Sequence, residues 1–270
     1  MALRGRTALV TGAASGMGRA IALRLAHRGA HLALLDRDAA GLAQTAALVE
    51  APALRISTHT VDLTDADALR QLPSAVLAAH PGLDLLINNA GVALGGRFDE
   101  IDDADFSHLL EVNVQGTVRL TRAFLPALRR SDDARIVNVA SLFGVIAPPG
   151  QTAYAASKFA VRGFSMALAA ELAGGPVGVT LVYPGGVATN IVANARMAAS
   201  LSDTDAALLR ARAARHLRTS PERAAEAIVR AVERRRARVF VGLDARILAT
   251  LERLLPVSHG RVLARLGLDG

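Results

Sequence analysis

The chain has 270 residues, 51% of them hydrophobic and only 3% aromatic, so its length and composition predict one large core packed from aliphatic layers. It contains no cysteine, which excludes a disulfide framework and thiolate metal sites. The net charge of +7 comes entirely from residues 191–270, which carry fifteen basic and eight acidic side chains against sixteen and sixteen in residues 1–190; without basic-aromatic interleaving this reads as an arginine-rich solvated surface, not a nucleic-acid site.

The opening MALRGRTALVTGAASG runs straight into an apolar strand and a glycine turn. It lacks the charged start, apolar stretch and cleavage site of a secretory signal, so the sequence reads as cytoplasmic. No stretch reaches the roughly 18 consecutive apolar residues of a spanning helix. Short β-rich runs then alternate with alanine-rich helical stretches: TALVT, a helix from Gly16 to Arg28, HLALLD, a helix from Ala39 to Val49, RISTHTVD and a helix from Asp65 to Ala79. LDLLINNAG, a long helix from about Asp102 to Arg130, RIVNVAS, a helix from about Thr152 to Ala173 and VGVTLVYPGG continue the series. Near-continuous apolar strands separated by helices predict a doubly wound parallel sheet with helices on both faces, a three-layer α/β/α domain of Rossmann type spanning residues 1–270.

Beyond the last long strand the pattern loosens. Residues 186–219 are less regular and are expected to serve the substrate; Ser220 and Pro221 then open a helix as cap and first-turn residue, and RVFVG forms a last strand. In the tail, residues 243–270, Asp244 is a candidate N-cap, and Ile247, Leu248, Leu251, Leu254 and Leu255 recur at helical spacing before Pro256. Packing on the core or on a second subunit is the expected role of this greasy face, ahead of a cover over the substrate or attachment to a membrane surface.

Thr11-Gly12-Ala13-Ala14-Ser15-Gly16-Met17-Gly18 connects the first strand to the first helix. Backbone N–H groups and the helix dipole favour a pyrophosphate there, and glycines let it approach without a Cβ in the way. The spacing G-x-x-x-G-x-G departs from the G-x-G-x-x-G of many dinucleotide sites. Asp36 ends the second strand eighteen positions after Gly18, where a carboxylate accepts from the adenosine ribose hydroxyls and repels a 2′-phosphate. NAD is therefore expected over NADP, although Arg37 offers a guanidinium to such a phosphate.

These residues belong to a longer ordered set: TGxxxGxG at Thr11 to Gly18, Asp62-Leu63, NNAG at Asn88 to Gly91, Asn113, Ser141, Tyr154-x-x-x-Lys158 and Pro184-Gly185. With that set the chain resembles the short-chain dehydrogenase/reductase family, in its compact branch, from Arg6 to about Gly242. The resemblance implies hydride transfer between a nicotinamide cofactor and an alcohol or ketone. It places Asp62 and Leu63 beside the adenine and Asn89, Ala90 and Gly91 at the adenosine ribose. Pro184, Gly185, Val187 and Thr189 would seat the nicotinamide, with Thr189 on the carboxamide, and Asn113 would hold a water of the proton relay. A homo-oligomer, dimer or homotetramer, built through the two long helices is implied as well.

Physical chemistry gives the same residues roles of their own. Tyr154 and Lys158 are four apart on one helix face, so an ammonium stands beside a phenol and is expected to lower its pKa toward working pH, making Tyr154 the general acid/base. Lys158 is the only lysine in the chain. The resemblance adds that it holds the nicotinamide ribose. Ser141 follows a strand at the carboxyl end of the sheet and can hydrogen-bond the substrate oxygen. The seven histidines show no ligand-cluster spacing, and the mechanism needs no metal. Leu142 to Gly150 and Val187 to Leu217 carry the apolar residues expected to select a lipid-like or steroid-like secondary alcohol or ketone. An NADPH-dependent carbonyl reductase and a non-catalytic dinucleotide sensor are the alternatives.

Overall fold

The structure is a computed structural model that describes residues 1–265, with side chains described through Val262; the last residues of the predicted tail, 266–270, lie outside the described part. In chain order the elements are β1 (Thr7–Thr11), α1 (Gly16–His27), β2 (His31–Asp36), α2 (Ala39–Ala47), β3 (Ile56–Thr60), α3 (Ala66–Ala79), β4 (Leu85–Asn88), the short β5 (Leu94–Gly95), α4 (Asp103–Leu110), α5 (Gly116–Leu128) and β6 (Ala134–Val139). They continue with α6 (Thr152–Glu171), β7 (Val177–Pro184), the short β8 (Arg196–Met197), α7 (Asp203–Ala214), α8 (Pro221–Glu233), β9 (Arg238–Val241), α9 (Leu243–Leu254) and α10 (His259–Arg265).

Seven strands form one parallel sheet in the order β3-β2-β1-β4-β6-β7-β9. Alternation along each strand splits the apolar side chains between two layers. Ala8, Val10, Leu32 and Leu34 face α1, α2 and α8 through Ile21, Leu25, Leu42 and Ile228. Leu9, Ala33, Leu35 and Ile136 face α3, α5 and α6 through Leu72, Val76, Phe124 and Leu168. Both faces are covered, which is why the strands read as apolar runs and not as alternating ones. β1 and β4 lie side by side where the strand order reverses, so the crevice beyond their carboxyl ends is where this topology binds ligands.

Two departures from the sequence expectation concern the site. The predicted helix from Asp102 to Arg130 is α4 and α5 joined by one π-helical turn over Glu111–Gln115, with Asn113 in its middle. Such bulges cost helix geometry and recur at functional positions. At the tail, Asp244 is not the N-cap: the helix starts at Leu243 after Gly242, whose φ of 98° suits glycine, and the Asp244 side chain turns inward to Gly186. Ser220, by contrast, caps α8 as expected, accepting from the Arg223 N–H at 3.3 Å, with Pro221 in the first turn.

Candidate active site

The glycine turn is built by close approach. An ideal Cβ on Gly18 would stand 1.9 Å from the Gly12 carbonyl oxygen, and one on Gly12 would stand 2.8 Å from Asn89 Nδ2. A Cβ at Gly18 would force the backbone to move, and one at Gly12 would push the Asn89 side chain off the Thr11 carbonyl it holds. Gly12 and Gly16 also have φ of 68° and 52°. Among the described residues no side chain caps α1, whose first turn holds Gly16, Met17 and Gly18, and Ser15 at its N-cap leaves those amides facing the crevice end of the sheet. The helix therefore presents uncapped donors and its positive dipole end at the topological switch point.

Two named motif residues, Thr11 and Asn89, and two that sequence reasoning passed over, Thr45 and Arg19, hold this turn. The Thr11 hydroxyl accepts from the backbone amides of Asn89 and Ala90, each at 2.9 Å, and Asn89 Nδ2 donates to the Thr11 carbonyl at 2.9 Å. Thr45 donates to the Ala13 carbonyl at 2.8 Å and accepts from Arg19 Nε at 2.9 Å, while Arg19 also donates to the Ala14 carbonyl. Neither Thr45 nor Arg19 belongs to a motif; only the packing of α2 on the turn brings them there. Asp36 is partly buried at the end of β2, where its carboxylate accepts from the Ala14 and Asp38 amides at 3.1 and 3.2 Å. It thus stands beside the glycine turn and serves it as a structural anchor too. Arg37 is exposed.

Asp62 accepts from both the amide and the hydroxyl of Thr64 at 2.8 Å, and these bonds, the amide first, hold its pKa below the usual carboxylate value. Leu63 is buried against Gly116, where an added Cβ would come within 2.9 Å of it. The chemistry-bearing cluster lies at the carboxyl ends of β4 and β6. A Cβ on Gly91 would stand 3.0 Å from Asn113 Oδ1 and 3.4 Å from Lys158 Nζ, so these three predicted residues meet. Asn113 is fully committed through its side chain: Oδ1 accepts from the Val92 amide at 2.8 Å, and Nδ2 donates to the Val92 carbonyl at 3.0 Å and to Ser157 Oγ at 3.1 Å. The π turn delivers it to that clamp.

Lys158 is 3% exposed, its Nζ donates to the Val139 carbonyl at 3.2 Å and it lies 5.6 Å from the centre of the Tyr154 ring. Burial pushes its pKa down to about 8. Tyr154 packs edge-on to Phe143 with ring centres 6.1 Å apart. The expectation of a lowered tyrosine pKa does not hold for the polypeptide alone. Burial pushes Tyr154 up to about 12, and only a hydrogen-bonding interaction with the Ser141 hydroxyl works the other way. A desolvated ammonium nearly 6 Å from the ring does not outweigh the desolvation of a phenolate. Ser141 accepts from the Phe143 amide at 3.1 Å and caps the single turn Leu142–Gly144, which presents the Phe143 ring to Tyr154.

The segment after β7 closes the other side. Gly185 donates to the Val241 carbonyl at 2.9 Å, Val187 is buried and bridges to Thr219, and Thr189 comes within 3.3 Å of where a Cβ on Gly16 would sit. Gly186, which no motif fixes, is a junction. Its amide donates to Asp244 Oδ2 at 2.7 Å, its carbonyl accepts from the Arg218 and Thr219 amides at 3.0 and 2.9 Å, and a Cβ would fall 1.8 Å from the His216 carbonyl oxygen. β8 pairs with β5, which lays Arg196 and Met197 beside Leu94 and Gly95, next to the Leu94, Ala153 and Tyr154 cluster. Among the described residues no group of three or more His, Cys, Asp or Glu could hold a metal ion, and no helix is long and apolar enough to cross a membrane.

A glycine cradle without Cβ atoms, an uncapped helix N-terminus, a carboxylate at the end of β2 and a buried Tyr-Lys pair across the crevice fit a nicotinamide dinucleotide and define a dinucleotide-dependent oxidoreductase of the open α/β class. Comparison with known proteins is specific: residues 6–200 match the model of the short chain dehydrogenase family. The chain belongs to the short-chain dehydrogenase/reductase family and is an NAD(P)-dependent oxidoreductase. It is 42% identical to SadH of Mycobacterium tuberculosis, described as an oxidoreductase, over 263 residues, 96% of this chain and 94% of that protein. It is similar to a short chain dehydrogenase/reductase from Burkholderia phymatum in complex with NAD, at TM-score 0.85 and 31% identity over 94% of each chain. A metagenomic short-chain oxidoreductase in complex with NADP matches at TM-score 0.71 and 30% identity, over 89% of this chain and 98% of that one.

Proposed function

We propose that the chain is an NAD-dependent dehydrogenase/reductase of an apolar secondary alcohol or ketone, with Tyr154 as the general acid/base. The observation that carries the reading is the cluster at the carboxyl end of β6: Lys158 lies 5.6 Å from the Tyr154 ring, and Ser141 accepts from the amide of Phe143, which packs edge-on to that ring. When bound, the nicotinamide gives or takes the hydride. Tyr154 gives or takes the proton on the substrate oxygen, which Ser141 also hydrogen-bonds, while Asn113 fixes Val92 and Ser157 around them. Lys158 and Gly91 bound the ribose side, and the Gly12 to Gly18 turn takes the pyrophosphate. A protonated Tyr154 is ready to donate to a carbonyl oxygen at neutral pH; accepting a proton from an alcohol calls for added positive charge near the ring or for higher pH.

Asp36 supports NAD, because a carboxylate beside the glycine turn opposes a 2′-phosphate; exposed Arg37 and the NADP-bound relative support the NADPH-linked carbonyl reductase as the second reading. Apolar Leu94, Leu109, Val92 and Phe143 around Tyr154 support an apolar substrate. Phe159 and Met166, exposed on α6, support assembly of copies through that helix. Cofactor-linked absorbance over hydroxysteroids, long-chain alcohols, their ketones and small polyols, with NAD and NADP in parallel, tests the reading. Turnover on apolar substrates with NAD is expected. Activity confined to polyols, or tighter binding of NADP, overturns the substrate or the cofactor assignment. Tyr154→Phe is expected to lower kcat by roughly 10²–10⁴ with cofactor binding kept.

A further inference from the structure

Helix α9 carries two apolar faces. Buried Ala245 and half-buried Leu248, Ala249 and Leu251 face inward, the last three joining Leu142, Val145 and Ile146 behind the catalytic serine. Outward, Leu243, Ile247 and Leu254 are 73%, 56% and 72% exposed, and Val257 beyond the helix is 90% exposed. At about 100° per residue, positions 243, 247, 250 and 254 fall within an arc of roughly 60°, with Thr250 between the aliphatic residues. Arg246 and Arg253, both exposed, line one edge of this stripe. The helix's two carboxylates lie elsewhere: Asp244 is held by the Gly186 amide, and Glu252 falls on the side opposite Leu243.

We propose that this outward face docks the enzyme on an anionic lipid bilayer, with Leu243, Ile247, Leu254 and Val257 entering the headgroup boundary and Arg246 and Arg253 meeting lipid phosphates. An apolar stripe edged by arginines is the pattern of helices that lie in the interface plane, and the negative surface of an anionic leaflet supplies the complementary charge. A second copy of the same face would offer those arginines no carboxylate. Position agrees with the charge: α9 follows β9 at the carboxyl end of the sheet, beside the turn after Ser141. α7 also exposes Leu208 and Leu209 along with Arg212 and Arg215, within the segment that holds all of the chain's excess positive charge. Docking on this end brings the mouth of the crevice to the membrane surface.

The test is co-sedimentation of the full chain with phosphatidylcholine vesicles that contain or lack phosphatidylglycerol, alongside size-exclusion chromatography. The parent is expected to bind the anionic vesicles and lose them at high salt. Leu243→Ser, Ile247→Ser and Leu254→Ser together are expected to weaken binding roughly tenfold or more with soluble-substrate turnover and melting temperature kept. Arg246→Gln with Arg253→Gln is expected to abolish the preference for anionic vesicles. A parent that binds neither vesicle, or both equally, overturns the proposal. So does a triple variant that sediments like the parent, or one whose only change is a smaller assembly on the column, which assigns the face to a second copy.

Discussion

Lys158→Met is expected to stabilise the cofactor-free protein while abolishing turnover. The ammonium is 3% exposed, and its depression from 10.5 to about 8 has burial as its cause. At roughly 1.4 kcal/mol per pKa unit this corresponds to an upper figure of about 3 kcal/mol for keeping the charge in the fold at neutral pH. Methionine forfeits the bond to the Val139 carbonyl and the ring contact with Tyr154, worth about 1–2 kcal/mol together, so a net gain of about 1–2 kcal/mol is expected. For a chain of this size that raises Tm by roughly 2–8 °C. The pH dependence has a definite sign. The folded pKa lies below the unfolded one, so the unfolded chain binds more protons between about 8 and 10.5, and the parent gains stability as pH rises through that window. Parallel thermal melts of parent and variant from pH 7 to 10.5 therefore should show a constant gap below about pH 8 that narrows above it. A variant that melts at or below the parent at pH 7, or a gap that stays constant to pH 10.5, refutes the reasoning.

Asp244→Ala leaves the Gly186 amide without its charged acceptor and is expected to cost about 1.5–3 kcal/mol and to raise the cofactor Kd, whereas Asp244→Asn keeps an acceptor and restores most of both; melting curves and a binding titration check it. Gly18→Ala drives a Cβ into the Gly12 carbonyl, so a loss of about 1–3 kcal/mol with a larger loss of cofactor affinity is expected from the same two measurements. Acid should loosen the β3 edge. Ser57 Oγ lies 2.8 Å from His59 Nε2 and 2.9 Å from His80 Nε2, and both imidazoles are pushed below their ordinary pKa, in each case by burial first. Neutral rings are bound more tightly by the fold than charged ones, so their contribution is complete above pH ~6.5 and falls as pH drops below it. His80→Gln is expected to flatten that acid limb in denaturant titrations at successive pH values, and an unchanged limb counts against it.

Much of this site was legible before folding. The alternation of apolar strands and helices determined the parallel sheet, because strands covered on both faces must be apolar throughout. The order of the Gly12 to Gly18 turn, Asp36, Asn113, Ser141, Tyr154 and Lys158 determined the candidate chemistry, because those residue types carry their donors, acceptors and charges wherever the chain places them. Electrostatic state was not legible. Spacing on a helix put Lys158 beside Tyr154, but only the packed structure set the burial that raises the phenol and lowers the ammonium, since desolvation depends on every neighbour. The supports were equally hidden: Thr45 and Arg19 under the glycine turn, the π turn that aims Asn113, and Asp244 reaching Gly186 across 58 residues. Local pattern made Asp244 a helix cap, and tertiary structure gave its carboxylate the partly buried Gly186 amide instead. The sequence thus determined which groups could react, and the fold decided which were desolvated, which were held, and which face of α9 was left to the outside.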